Sequence, residues 1–135
     1  MHFTWSGGYV MEFKEDNVIN FIKEWLIQDG YEVKTAMGKS HGVDIEAIKD
    51  GTVWLIEAKG NNKTYQAAQS NGFLTALGQI LQRYNSTENK YSIAVPDTPQ
   101  YRGLWERLPS LAKTTLGLSI LFVNYDGSII ELNEP

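Results

Sequence analysis

The sequence predicts a single α/β domain over residues 1–135, with elements in the order α-β-β-β-α-β-α-β-β. Three observations carry this. Apolar residues recur at helical spacing in Phe13–Gln28 and again after Ser70, which marks two amphipathic helices. Asp50-Gly51 separates two apolar, β-branched runs, GVDIEAIK and VWLIEAKG, and this is the strongest short-range hairpin signal a sequence offers. A hydrophobic content of 42% beside 21% charged residues is ordinary for a globular chain, and the length suffices to bury a core.

Residues 1–11 show no periodicity, and Met11 is an alternative start that would make the residues before it an extension. The first helix carries Val18, Ile19, Phe21, Ile22, Trp25 and Leu26. Glu15 and Asp16 suit its N-terminal turn, and Gly30 stops it. Tyr31–Ala36 reads as a strand, followed by the loop 38–42 and the hairpin. With Asp50-Gly51 as a two-residue turn, Lys49 faces Thr52, Ala47 faces Trp54, Ile45 faces Ile56 and Asp44 faces Glu57. Alternation then puts Asp44, Glu46, Glu57 and Lys59 on one face. Val43, Ile45, Ala47, Trp54, Ile56 and Ala58 form the other, a core face. After a polar loop, Ser70 or Asn71 is expected to cap a helix with a stripe of Phe73, Leu74, Leu77, Ile80, Leu81 and Tyr84. Gly78 would allow a neighbouring element close, and Gln79 sits off the stripe. Tyr91–Val95 is a strand ended by Pro96, and the residues from Pro96 to Gln100 form a loop. Tyr101–Lys113 is helical with a bend or break at Pro109. Leu118–Asn124 and Ile129–Leu132 are strands about a turn at 125–128. The tryptophans at 5, 25, 54 and 105 are expected in the core.

Composition narrows the function classes. Without cysteine there is neither disulfide nor thiolate metal site, which fits a reducing, cytoplasmic setting. No apolar run approaches the ~18 residues of a membrane span, and the N-terminus lacks a basic region followed by an apolar one. A net charge of −4 argues against a general nucleic-acid coating protein. Both ends of the chain are acidic, whereas Lys34, Lys39, Lys49, Lys59 and Lys63 balance the central carboxylates. A metal bound there would turn that surface positive.

The chemistry lies in the hairpin. Opposed residues have Cβ atoms only ~4.5–5.5 Å apart, where like charges repel, so Asp44 and Glu57 need a compensating cation. Lys59 is one candidate. A divalent metal is the other, since Mg²⁺ takes carboxylate oxygens and keeps several waters. A hydrolase can use those waters, with Lys59 beside them to orient or help deprotonate the nucleophile. Glu-x-Lys occurs at Glu12, Glu32, Glu57 and Glu88, but only Glu57-Ala58-Lys59 lies in an apolar strand with an aspartate across the hairpin. The competing reading of the trio is an ion-pair cluster on a solvated strand face.

Asp44 together with Glu57-Ala58-Lys59 resembles the active-site motif of the PD-(D/E)XK nuclease superfamily, the restriction-endonuclease-like phosphodiesterases. The element order over residues 13–124 is similar to that superfamily's core, a central mixed sheet flanked by helices, and is closest to its small Mrr-like and Holliday-junction-resolvase-like members. The resemblance implies an α/β (α+β) restriction-endonuclease-like core and a DNA endonuclease dependent on Mg²⁺ or Mn²⁺. Asp44, Glu57 and the carbonyl of Ala58 would bind the metal, and Lys59 would position the nucleophilic water. The resemblance further implies a glutamine on the helix after the motif, met by Gln79 in LGQILQRY, and a glutamate on the first helix, met by Glu15 better than by Glu24. Val43 stands where the superfamily's name has proline. Lys39, His41 and Lys63 are the expected nucleic-acid contacts. One site per subunit and two strands to cut predict a homodimer or a partner subunit. The alternative is a non-catalytic DNA- or protein-binding domain of the same fold within a larger assembly, or an interaction protein whose acidic ends recruit a basic partner.

Overall fold

Six strands lie side by side in sequence order, β1-β2-β3-β4-β5-β6, in one open sheet of a computed structural model that describes residues 13–36, 42–61 and 66–134. The elements are α1 (Glu15–Gln28), β1 (Glu32–Thr35), β2 (Ile45–Lys49), β3 (Thr52–Ala58), α2 (Gln66–Gln82), β4 (Lys90–Pro96), α3 (Pro99–Arg107), α4 (Ser110–Leu116), β5 (Leu118–Val123) and β6 (Ile129–Asn133). β1, β2 and β3 run antiparallel, β3, β4 and β5 parallel, and β5 and β6 antiparallel. The result is an α+β domain with a mixed sheet flanked by helices, compatible with a restriction-endonuclease-like core.

The hairpin register is the expected one, with Ile45 opposite Ile56, Ala47 opposite Trp54 and Lys49 opposite Thr52. Asp50 and Gly51 both take positive φ, 51° and 80°, as the tight turn that matches strand twist requires. Beyond the hairpin, α1 buries Val18, Ile19, Ile22 and Leu26 against Ile45, Trp54, Ile56, Ala94 and Leu121. The opposite face packs Phe73, Ala76 and Ile80 of α2 and Tyr101 and Trp105 of α3 against Leu55, Tyr91, Ile93, Ile120 and Phe122. With helices on both faces, β5 is buried at every position, as in parallel sheets generally. On the α1 side, Trp54 Nε1 donates to Ser92 Oγ at 2.8 Å, and the Ser92 and Ser119 hydroxyls bond each other. This polar row ties β3, β4 and β5 together inside an apolar layer.

Several expectations are corrected. The face bearing Glu57 is covered by α2, because the crossover from β3 to β4 lays the helix there, so the competing reading of a solvated strand face does not hold at Glu57. Val43 packs with the Leu55 cluster and not with Ile45: it precedes β2, and the bend at Asp44 breaks the alternation. α2 begins at Gln66, so Ser70 and Asn71 are interior. Leu74 and Leu81 are exposed while Ala76 is buried, and nothing lies within 4 Å of a Cβ built on Gly78. The sheet therefore meets the Phe73-Ala76-Ile80 side of the helix. The loop before Tyr101 is shorter than expected, because Thr98 caps α3 by accepting from Tyr101 N and Pro99 opens the helix. The break at Pro109 is as expected and divides the helical stretch into α3 and α4.

Candidate active site

Past Ile45 and Ile56 the hairpin is continued by side chains. Asp44 N–H donates to Glu57 Oε1 at 3.2 Å, and Ala58 N–H donates to Asp44 Oδ2 at 2.8 Å. Each carboxylate thus grips the other strand's end, and the two are fixed relative to one another. Glu57 follows Val53 and Leu55 on the α2 face and is only 1% exposed. Burial, and then the Asp44 charge, push its carboxyl up to about 7 against the opposing pull of the Asp44 N–H, Arg83 and Lys59. Glu57 Oε2 is buried and accepts no hydrogen bond. A solvated ion-pair cluster does not describe this residue.

Glu15 arrives from the other side of the sheet, through contacts that dock the start of α1 on the end of β3. Phe13 N–H donates to Asn61 Oδ1 at 2.6 Å, Asn61 N–H returns to Phe13 O at 2.9 Å, and Asn61 Nδ2 donates to Tyr125 Oη at 3.1 Å. A Cβ on Gly60 would lie 2.5 Å from Phe13 O and 2.6 Å from Glu15 N, so only glycine admits this approach. Glu15 Oε1 thereby stands 4.0 Å from Lys59 Nζ. Burial first, and then Asp44, raise the Glu15 carboxyl, while Lys59 lowers it. Lys59 is held by its backbone N–H on Ala94 O at 3.0 Å and flanked by α2 at Gly72, whose Cβ would sit 3.7 Å from Lys59 Cγ. Tyr101 Oη donates to Gly60 O at 2.7 Å, and burial, then Glu15, raise that phenol.

The structure therefore brings together Asp44, Glu57, Ala58, Lys59 and Glu15. Glu24 faces outward on α1. Gln79 does not hydrogen-bond to any of these residues; its Oε1 is buried without a partner, one helical turn before Arg83. Lys39, His41 and Lys63 lie outside the described residues. Sequence reasoning missed Arg83 as a site residue; it lies one residue past α2, with its Nε 4.0 Å from Glu57 Oε2. Gly60, Asn61 and Tyr101 carry no local signal and are recognised only through the docking of α1 and α3.

Among the described residues no three of His, Cys, Asp and Glu gather as a ligand group. The two carboxylates held next to one another are those of Asp44 and Glu57, with the Ala58 N–H donating to Asp44. The pair fits a hard divalent cation: two fixed carboxylates face each other, and one buried carboxylate oxygen lacks any donor.

No known family profile matches the chain, and no curated protein matches it. Solved structures that share its fold include two proteins. One is an XisH family protein from Nostoc punctiforme PCC 73102, with 21% identity and TM-score 0.53, covering 86% of this chain and 98% of that one. The other is an FdxN element excision controlling factor protein from Anabaena variabilis, with 19% identity and TM-score 0.55, covering 89% and 99%. The chain thus has the fold of XisH family proteins over nearly their whole length.

Proposed function

We propose that this protein is a metal-dependent phosphodiesterase of PD-(D/E)XK type that cuts DNA. The single observation carrying this reading is the Asp44–Glu57 pair, with Glu57 Oε2 buried and lacking a donor beside Lys59. That a fold neighbour is an FdxN element excision controlling factor supports DNA as the polymer concerned. Asp44, Glu57 and the Ala58 carbonyl would hold Mg²⁺ or Mn²⁺. Such an ion, when bound, polarises a phosphoryl oxygen and makes water acidic enough to attack.

The remaining work falls to the chain. Lys59 places an ammonium beside the carboxylates, orienting the attacking water and balancing charge that develops on the phosphate. Glu15, 4.0 Å from Lys59, keeps that ammonium directed toward the end of β3. Gln79 supplies a carbonyl oxygen to orient water or a ligand, and Lys39, His41 and Lys63 contact the phosphate backbone. A homodimer or a partner subunit would supply the second cut.

A second reading, a non-catalytic DNA- or protein-binding domain, is favoured by one observation: Arg83 already stands as a counter-charge near Glu57. Linear, nicked, single-stranded and four-way DNA incubated with Mg²⁺, Mn²⁺ or EDTA separates the two. Metal-dependent cleavage that Asp44→Ala abolishes supports the nuclease; binding without cleavage on every substrate supports the second reading.

A further inference from the structure

Arg83 is the residue of this site whose position fits no single static role. Its Nε is buried, makes no hydrogen bond, and lies 4.0 Å from Glu57 Oε2, itself without a donor. Guanidinium and carboxylate normally join through short, often paired hydrogen bonds. Here they are within range yet not bonded, so the pair is held by charge and not by a hydrogen bond. The side chain is about one-third exposed, and it lines a groove of about 480 Å³ that runs away from Glu57 along the same face. Val43, Val53 and Leu55 form the groove's apolar floor, and Glu46, Asn85 and Asn89 give it polar walls. Leu55 precedes Glu57 by two strand residues, about 6.6 Å, so the groove begins beside the carboxylate pair.

Resting on the reading of a divalent-cation site that handles DNA, we infer that Arg83 has two positions. It is the counter-ion of Glu57 in the cation-free protein, and a phosphate ligand of the DNA strand, swung into the groove, once a cation sits on the carboxylates. With a divalent cation there, the two carboxylate charges are neutralised and the guanidinium loses its attraction to Glu57. The groove then offers it one carboxylate, Glu46, and an open path to a DNA phosphate, for which Arg is well suited. The side-chain amides of Asn85 and Asn89 are neutral donors for the adjoining phosphate or sugar oxygens. Because Arg83 and the cation compete for Glu57, and because a released Arg83 binds DNA, cation and DNA must strengthen one another's binding reciprocally.

The test measures Mn²⁺ affinity by electron paramagnetic resonance and, separately, binding of a labelled duplex by fluorescence anisotropy with and without Ca²⁺. Both are done for the wild type, Arg83→Gln and Arg83→Lys, after their melting curves show each to be folded. In the wild type, Ca²⁺ should tighten DNA binding by about tenfold, within the usual span of coupling between sites. In Arg83→Gln most of that enhancement should vanish and Mn²⁺ should bind several-fold tighter. Arg83→Lys should recover part of the enhancement. Undiminished Ca²⁺ enhancement in Arg83→Gln, with wild-type Mn²⁺ affinity, overturns the inference while leaving the cation site standing. Mn²⁺ binding that is absent, or indifferent to Asp44→Ala, removes the site itself and the inference with it.

Discussion

Asp44 and Glu57 are locked in reciprocal contact across the hairpin: the Asp44 backbone N–H holds the Glu57 carboxylate, and the Asp44 carboxylate holds the backbone N–H of Ala58, the residue after Glu57. This geometry brings two acids together without either being free to turn away, so the repulsion between them is built into the fold. A bound cation should relieve it. Mn²⁺ is therefore expected to raise the melting temperature of the wild type, since a ligand of the folded state alone stabilises it. Asp44→Asn, which can still accept from Ala58 N–H, should lose most of that response. An equal Mn²⁺ shift in both proteins would exclude this pair as the ligands.

Stability without metal should depend on pH through Glu57. Its carboxyl is raised from an ordinary 4.5 to about 7, so between those values the folded protein holds a proton that the unfolded chain has released. The contribution is fully present below about pH 4.5 and is lost as pH rises through about 7. Glu15, raised in the same direction, adds to the trend. In chelator, the wild type should lose several degrees of melting temperature between pH 5 and pH 8 relative to Glu57→Gln, given that about 1 kcal/mol moves a domain of this class by a few degrees. Parallel pH profiles for the two proteins would show that the buried carboxyl is not the cause.

Lys59→Ala should leave Mn²⁺ binding near the wild-type level while reducing DNA cleavage by about 10²–10³-fold, the loss typical when one donor to developing charge is removed. Single-turnover cleavage and the Mn²⁺ melting shift, measured on the same preparation, report the two properties separately. Full turnover in this variant would move nucleophile positioning to another group.

Gly60→Ala tests whether the docking of α1 matters to the site. The added methyl would meet Phe13 O at 2.5 Å and Glu15 N at 2.6 Å, both backbone atoms, so the helix start must move. A destabilisation of about 1–3 kcal/mol is expected, as for other overpacked positions, together with weaker metal-dependent cleavage as Glu15 leaves Lys59. A melting temperature within a degree of wild type would mean that this contact yields easily.

DNA binding should weaken steeply with salt, and Lys39→Ala combined with Lys63→Ala should reduce the slope of log K against log salt by about 1.8, the value for two phosphate contacts. Sedimentation of the free and DNA-bound protein checks the expected dimer in the same series. An unchanged slope would take both lysines out of the interface.

Much of the fold was legible because local signals agreed with it. Asp50-Gly51 set the turn and register of the hairpin, and the Val18-Ile19-Ile22-Leu26 spacing set the buried side of α1. The pairing of Asp44 with Glu57 followed directly from that register. What was not legible depended on contacts distant in sequence. The outward turn of Leu74 and Leu81 is decided by which side of α2 the sheet accepts, and their hydrophobicity alone cannot reveal that. Glu57 is buried because α2 crosses over it, a consequence of how β3 joins β4. The approach of Glu15 to Lys59 rests on Gly60 and Asn61, whose importance shows only against the backbone of residues 13–15.

The unbroken strand order, each strand beside its neighbour in sequence, bears on how the protein is made. Contacts between near neighbours close short loops, and short loops cost little chain entropy and form quickly. Asp44 and Glu57 belong to one such closure, the β2–β3 hairpin, and Glu15 and Lys59 are already present in the first sixty residues. A chain emerging from the ribosome can therefore set two opposed acids face to face before α2 exists to cover them. In that interval the pair is open to water and counter-ions, so its repulsion is felt least while the hairpin is forming. The full electrostatic strain is present only in the finished fold, where α2 covers Glu57.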